Sequence, residues 1–395
     1  MKIPARICLG VALLSSPLLA QPPASNPGRG KGGRGENASR IISPAIAADR
    51  KITFRLLAPK ASDVVLTGEF LKEDQYLSKN EAGLWSITVG PVEPETYHYN
   101  FIVDGVKVLD PGNASIKMGS TAQTLANSIE VRGPQPFFYD GQAVPHGDIR
   151  TNWYESKSLG LLRRATVYVP AEYDQNPPKR YPVLYLLHGA NNDETTWTRQ
   201  GRANLILDNL IAAGKSRPFI VVMPFGYGFK DPMNPGGANS SELFSQDLLG
   251  DLIPMIDAKY RTLADRDHRG LVGLSMGGGQ ALTIGLNHLE LFSHVGGFSA
   301  AIRQPETFPT TFASLVKDAE ASNRKLHLLW VGCGTEDALF EPAKAFTKFL
   351  TAQKIKHTFR ESPGAHTYMV WRRYLNEVAP QLFREKMATS ATQGN

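Results

Sequence analysis

The run Gly273-Leu274-Ser275-Met276-Gly277 constrains this chain more tightly than any other five residues, because it sets a serine between two glycines where an apolar run stops and a helical pattern begins. Residues 271–274 read as the end of a buried strand. Gly277-Gly278-Gly279 followed by Gln280-Ala281-Leu282-Thr283-Ile284 reads as the first turns of a helix packed closely on that strand. So tight a turn leaves no room for a Cβ on either side of the serine, and glycine at 273 and 277 meets that need. The helix amino terminus behind Ser275 offers backbone donors and partial positive charge to an oxyanion formed by its attack on a carbonyl. The implied chemistry is acyl transfer. G-x-S-x-G also arises by chance in glycine-rich loops, so the weight rests on its strand-to-helix context and on two partners downstream.

The first partner is an acid. Residues 327–331 (HLLWV) form a short apolar run ending in Gly332-Cys333-Gly334-Thr335-Glu336-Asp337, which places two carboxylates at the carboxyl end of a strand, where open α/β sheets carry their sites. Asp337 is the choice on position and Glu336 the close competitor; the bland reading of either is an acid at the start of the helix over 341–350. The second partner is His366 in Ser362-Pro363-Gly364-Ala365-His366, after a strand-like 357–360 and before a helix-like 368–378. Of the nine histidines, His188 ends the strand over 183–187 and reads as shaping the next loop, while His268, His288 and His294 read as surface or cap residues. The order serine, acid, histidine is that of α/β-hydrolases, whose geometry calls for oxyanion donors at the backbone N–H groups of Met276 and Ala190.

The runs Leu187-His188-Gly189, Gly201-Arg202-Ala203-Asn204, Asp208-Asn209-Leu210, Asp247-Leu248-Leu249, Leu252-Ile253-Pro254, Asp265-Arg266 with His268-Arg269, Gly273 to Gln280, Cys333-Gly334-Thr335 with Asp337, and Gly364 with His366 and Trp371 together resemble the carbohydrate esterase family 1 domain of bacterial feruloyl esterases. The likeness spans roughly residues 150–385. It implies Ser275 as nucleophile, Asp337 in place of Glu336 as acid, and His366 as base. The same family includes acetyl xylan esterases, and wider relatives include enterochelin-type siderophore esterases and mycolyl transferases. No cofactor or metal is expected: the sequence has no H-E-x-x-H, no paired C-x-x-C, and no phosphate loop.

At 395 residues the chain exceeds one ordinary domain. Residues 1–20, with Lys2, Arg6 and an apolar 7–14, read as a signal peptide for a secreted or periplasmic protein; the apolar stretch is too short to span a bilayer. Residues 21–40 read as a flexible basic linker. Lys2, Arg6, Arg29, Lys31, Arg34 and Arg40 against Glu36 place about five of the net six positive charges before residue 41, so the folded part is nearly neutral and argues for neither nucleic acid nor an acidic substrate. Cleavage removes Cys8 and leaves Cys333 alone, so no intrachain disulfide is expected.

Short β-rich runs at 52–57, 63–67, 84–89, 97–103 and 106–109, with the turn Asp104-Gly105, predict a small all-β, immunoglobulin-like sandwich over 41–133. Through Arg55-Leu56-Leu57-Ala58-Pro59, Gly83-Leu84-Trp85, Tyr97-His98-Tyr99 and Val103-Asp104-Gly105 it resembles early-set domains related to family 48 carbohydrate-binding modules. Trp85, Tyr97 and Tyr99 are either sugar platforms or core, and alternation on a strand favours core. Residues 134–150 are the expected connection, 151–385 an α/β-hydrolase domain with a doubly wound, mostly parallel sheet, and 386–395 a tail. Pocket walls are expected from loops 190–200 and 225–245, with Trp197 and Tyr227 as substrate-binding aromatics, a buried packing role being the equal alternative for Trp197, and 226–237 as a mobile rim. The expected substrate is feruloylated or acetylated plant polysaccharide. The competing class is a binding protein with an inactive hydrolase-like domain, and the intact Ser275, Asp337 and His366 argue against it.

Overall fold

Ile52, Phe54 and Leu56 alternate with Thr53 and Arg55; the first set is buried and the second half-buried, the period of a strand with one dry face. Such strands recur among the described residues between 45 and 131 of the computed structural model, which describes residues 41–117, 125–229, 239–302 and 304–384. The expected signal peptide (1–20), basic linker (21–40), tail (386–395) and most of the expected rim (230–237) lie outside the described residues.

Two antiparallel sheets share one core. The four-stranded sheet runs β1 (Ala45–Ile46), β2 (Ile52–Leu57), β6 (Leu84–Val89), β5 (Ser78–Lys79). The six-stranded sheet runs β4 (Gln75–Tyr76), β3 (Val64–Gly68), β7 (Glu95–Val103), β10 (Ala126–Val131), β9 (Ile116–Lys117), with β8 (Val106–Val108) paired to β7. Trp85, Tyr97 and Tyr99 belong to the core between them. Their polar tips are used internally, on the Ala58 carbonyl, the Glu93 carbonyl and the Asp110 carboxylate.

The second sheet has eight strands in the order β11 (Asp148–Ser156), β12 (Leu161–Val169), β14 (Ile220–Pro224), β13 (Val183–Leu187), β15 (Arg269–Leu274), β16 (His294–Phe298), β17 (Leu328–Gly334), β18 (Thr358–Ser362). β11, β12 and β14 pair antiparallel and the rest pair parallel. Every residue of β13, β14, β15 and β16 is buried, as strands covered by helices on both faces must be. His294 is therefore a core residue of β16, not a surface cap, and its Nε2 accepts the Phe383 N–H at 3.1 Å.

The helices are α1 (Thr196–Arg199), α2 (Ala203–Ala212), α3 (Ser240–Asp247), α4 (Ile253–Lys259), α5 (Ser275–Asn287), α6 (Phe308–Thr311), α7 (Ala313–Lys317), α8 (Ala319–Lys325), α9 (Phe340–Ala352) and α10 (Tyr368–Val378). Side chains of α3, α4, α5 and α9 form one apolar layer with Val183, Tyr185 and Leu187, while those of α2 and α10 form another with Leu184 and Leu186. Alternate residues of β13 thus serve opposite layers.

Residues from Ile42 onward form a single compact unit. The expected connection over 134–150 is packed against its neighbours. Tyr139 is buried and donates to Glu95 of β7, Asn209 of α2 donates to the Phe138 and Asp140 carbonyls at 2.9 Å, and Asp208 of α2 accepts from the Gly147 N–H at 3.0 Å. Its last three residues belong to β11, a strand the sequence reading missed. The buried Arg372 of α10 reaches the same Glu95 at 3.1 Å, and Met369 packs on the core of the N-terminal sheets.

Candidate active site

Ser275 is the first residue of α5 and has φ 52, a left-handed conformation rare outside glycine and strained for a serine. The turn is as crowded as the motif demands. A Cβ on Gly273 would lie 2.3 Å from the Gly277 carbonyl oxygen, and one on Gly277 would lie 2.3 Å from the His188 carbonyl oxygen. The loop after β13 is equally close: a Cβ on Gly189 would touch the Ser275 Cβ at 3.1 Å. The backbone of residues 189–190 and the start of α5 therefore flank one serine.

His366 Nε2 lies 2.9 Å from Ser275 Oγ, and His366 Nδ1 lies 2.8 Å from Asp337 Oδ2. The other carboxylate oxygen accepts the Leu339 N–H at 2.8 Å. Burial pushes the Asp337 carboxyl up, but hydrogen bonds from His366, the Leu339 N–H and the Ser299 hydroxyl outweigh it and hold it below the ordinary 3.8. Glu336, its neighbour, is exposed, and the His366 Nδ1 partner is Asp337. The structure thus brings three of the sequence-derived candidates together as a connected relay and leaves the competing glutamate in solvent.

Sequence reasoning missed Ser299 behind the relay and named Trp371 only as a motif residue. Ser299, fully buried with φ 46 just past the end of β16, accepts the Trp371 indole N–H at 3.0 Å and binds Asp337 from behind. Trp371 also stands edge-on to the His366 ring, centroids 4.8 Å apart. Cys333, buried beside Ser299, has its thiol pushed up to about 12 by burial, which removes it as a nucleophile.

His188 is neutral: burial pulls it down to about 4. Its Nδ1–H donates to the Gly189 carbonyl at 2.8 Å and its Nε2 accepts the Gly226 N–H at 2.8 Å, which joins the loops after β13 and β14. The buried Arg163, paired with Asp247 at 3.2 Å, donates to the Phe225 and Tyr227 carbonyls and holds the second loop from below. Tyr227 is half-buried, and its hydroxyl accepts the Asn191 N–H at 2.6 Å. It therefore fixes the loop that contains Ala190.

Trp197 corrects an expectation. It is fully buried and its indole N–H donates to the Leu187 carbonyl at 3.0 Å, so it supports the loop from beneath and has no face for a substrate. A cavity of about 490 Å³ opens beside Met276, between Gln280, Thr283 and Ile284 of α5 and Ser241 and Glu242 of α3; Ser275 and His366 are not among its lining residues. Among the described residues no cluster of histidine, cysteine or carboxylate side chains is arranged to hold a metal.

Residues 156–382 match the family model described as "Putative esterase". A bifunctional endo-1,4-beta-xylanase/feruloyl esterase of Xylanibacter ruminicola is 34% identical over 347 residues, which cover 86% of this chain and 46% of the relative, so the chain spans about half that protein's length. A solved ferulic acid esterase is 28% identical with a TM-score of 0.53, covering 60% of this chain and 99% of its own. The enterochelin esterase of Shigella flexneri shares the fold at 17% identity, with a TM-score of 0.66 over 88% of this chain and 96% of its own.

Proposed function

The chain belongs to the esterase family that this model defines and is a carboxylic ester hydrolase; from that premise we propose that it removes hydroxycinnamoyl groups such as ferulate from plant cell-wall polysaccharide, using Ser275, His366 and Asp337. The observation that carries the roles is the relay itself, 2.9 Å from serine to histidine and 2.8 Å from histidine to aspartate. His366 takes the hydroxyl proton as Ser275 Oγ attacks the ester carbon. The tetrahedral oxyanion is stabilised by the N–H groups of Met276 and Ala190. His366 then returns the proton to the departing sugar oxygen, which leaves an acyl-serine. Water repeats the sequence and frees the acid. Asp337 holds the tautomer with the proton on Nδ1 and stabilises the imidazolium as it forms.

The acyl assignment is supported by the named activities of the xylanase/feruloyl esterase and the ferulic acid esterase. A second reading, a siderophore esterase, draws on the enterochelin esterase fold covering 88% of this chain. The 34% identity to the xylanase/feruloyl esterase, against 17% to the enterochelin esterase, disfavours it. Residues 1–20 act in this reading as an export signal, which puts the enzyme where polysaccharide is.

The test is kcat/KM on methyl ferulate, an aryl acetate, acetylated xylan and enterobactin, with Ser275→Ala as control. Ferulate esters are expected to be turned over best, and Ser275→Ala to lose about 10⁴-fold or more with an unchanged melting curve. Preference for enterobactin, or full activity in the alanine variant, would overturn the reading.

A further inference from the structure

Four of the five tryptophans are buried, and Trp153 is 57% exposed. It stands on the edge strand β11, on the face opposite the buried Asn152 and Tyr154. β12 pairs with β14 from Tyr168 opposite Val221 up to Ala165 opposite Pro224, the last residue of β14. The stretch of β12 before Ala165, and Trp153 to Ser156 opposite it, therefore run past the carboxyl ends of the parallel strands. That is the end of the sheet at which Ser275 follows β15.

The cross-strand partner of Trp153 is Arg164, whose guanidinium carbon lies 5.3 Å from the indole centroid. Arg164 reaches Glu194 at 2.5 Å, and Glu194 is buried in the loop between Ala190 and α1. Leu162, 62% exposed, and Glu155 form the next pair on the same face, with Thr151 on the other side of the indole. The result is a flat apolar patch edged by hydrogen-bonding groups and tied through one ion pair to the loop beside the serine. Trp153 and Leu162 thus leave two adjoining apolar side chains open to solvent. A β-linked pyranose matches it, with apolar C–H faces for the indole and equatorial hydroxyls for Thr151, Glu155 and Arg164.

We propose that Trp153 and Leu162 form a stacking subsite for a neutral β-linked pyranose chain, the polysaccharide backbone that carries the ester cleaved at Ser275. The choice of a sugar chain as occupant rests on the function proposed above and on the continuity of the patch with the active-site loop.

The test uses the full chain with Trp153→Ala and Trp153→Tyr. Trp153→Ala should leave kcat/KM on methyl ferulate within about twofold of the parent, lower it roughly fivefold or more on feruloylated xylooligosaccharides, and be partly rescued by tyrosine. Equal loss on both substrates, or loss on neither, would overturn the subsite. Calorimetry of xylohexaose with the Ser275→Ala protein, with and without Trp153→Ala, reads binding without turnover. Weaker binding in the double variant supports the platform even if the acyl group is not ferulate, and unchanged binding overturns it. Conversion of a dimer to a monomer by Trp153→Ala in sedimentation would assign the patch to a second copy of the chain and also overturn it.

Discussion

Glu95→Ala is expected to unfasten the N-terminal sheets from the hydrolase core. Glu95 is 5% exposed and Arg372 is 1% exposed. The carboxylate accepts from Arg372 at 3.1 Å, from Arg373 at 3.4 Å, from its own neighbour's Thr96 N–H at 2.9 Å, and from the Tyr139 hydroxyl. Alanine leaves a guanidinium buried without its counter-charge, a loss of about 3–5 kcal/mol when one partner of a buried pair is removed. The orphaned Tyr139 hydroxyl adds to it, though not independently, since the Arg372 guanidinium lies over the Tyr139 ring with its carbon 4.2 Å from the centroid. For a chain of this size, melting in one transition, the melting temperature should fall by roughly 4–6 °C. Differential scanning calorimetry of the parent should show one transition, because the interface is too costly to open alone, and Glu95→Ala should lower that transition or split it. Glu95→Leu combined with Arg372→Met, which removes both charges, should recover most of the loss. A shift below about 2 °C for Glu95→Ala would refute the reasoning, because a buried pair cannot be broken so cheaply.

Asp337→Asn should lower kcat on methyl ferulate by about 10⁴-fold, while Glu336→Gln should leave it within about twofold because its side chain is in solvent. A worse glutamate variant would reassign the acid. Stability should fall with acidity: burial holds His188 at about 4 and His294 at about 3, so each stays neutral in the fold while the unfolded chain takes up a proton near 6.5. Their contribution is complete above pH 6.5 and declines as pH drops towards those folded values, with a slope approaching about 1.4 kcal/mol per pH unit per histidine. Asp337, whose carboxyl is depressed in the fold, adds loss in the same direction once pH falls below 3.8. Urea midpoints that stay flat between pH 6.5 and 4.5 would contradict this.

What was legible in the sequence was what local chemistry dictates. The strands Val183–Leu187 and Ile220–Pro224 are apolar throughout because both faces are covered, and that pattern is visible without a structure. Gly273 and Gly277 announce a turn that admits no Cβ, so Ser275 stood out. β11 did not, since an edge strand with Asp148 and Arg150 at its start reads as a polar connection. Trp197 shows another limit, as an indole beneath a loop and one above it have the same letter. Ser299 carries no signal at all. It matters only because β16 ends where Trp371, from a helix 72 residues later, can reach it.

The clasp between Glu95 and Arg372 joins residues 277 positions apart. On a ribosome the N-terminal sheets emerge first, and their partner helix follows only some 277 residues later. At about 5–20 residues per second the acidic face waits roughly 15–55 s for its arginine. During that interval the surface meant for α10 is open to the cell. The segment from His366 through α10 therefore closes two structures at once, the relay and the seam to the earlier sheets, and a chain interrupted before it leaves both unfinished.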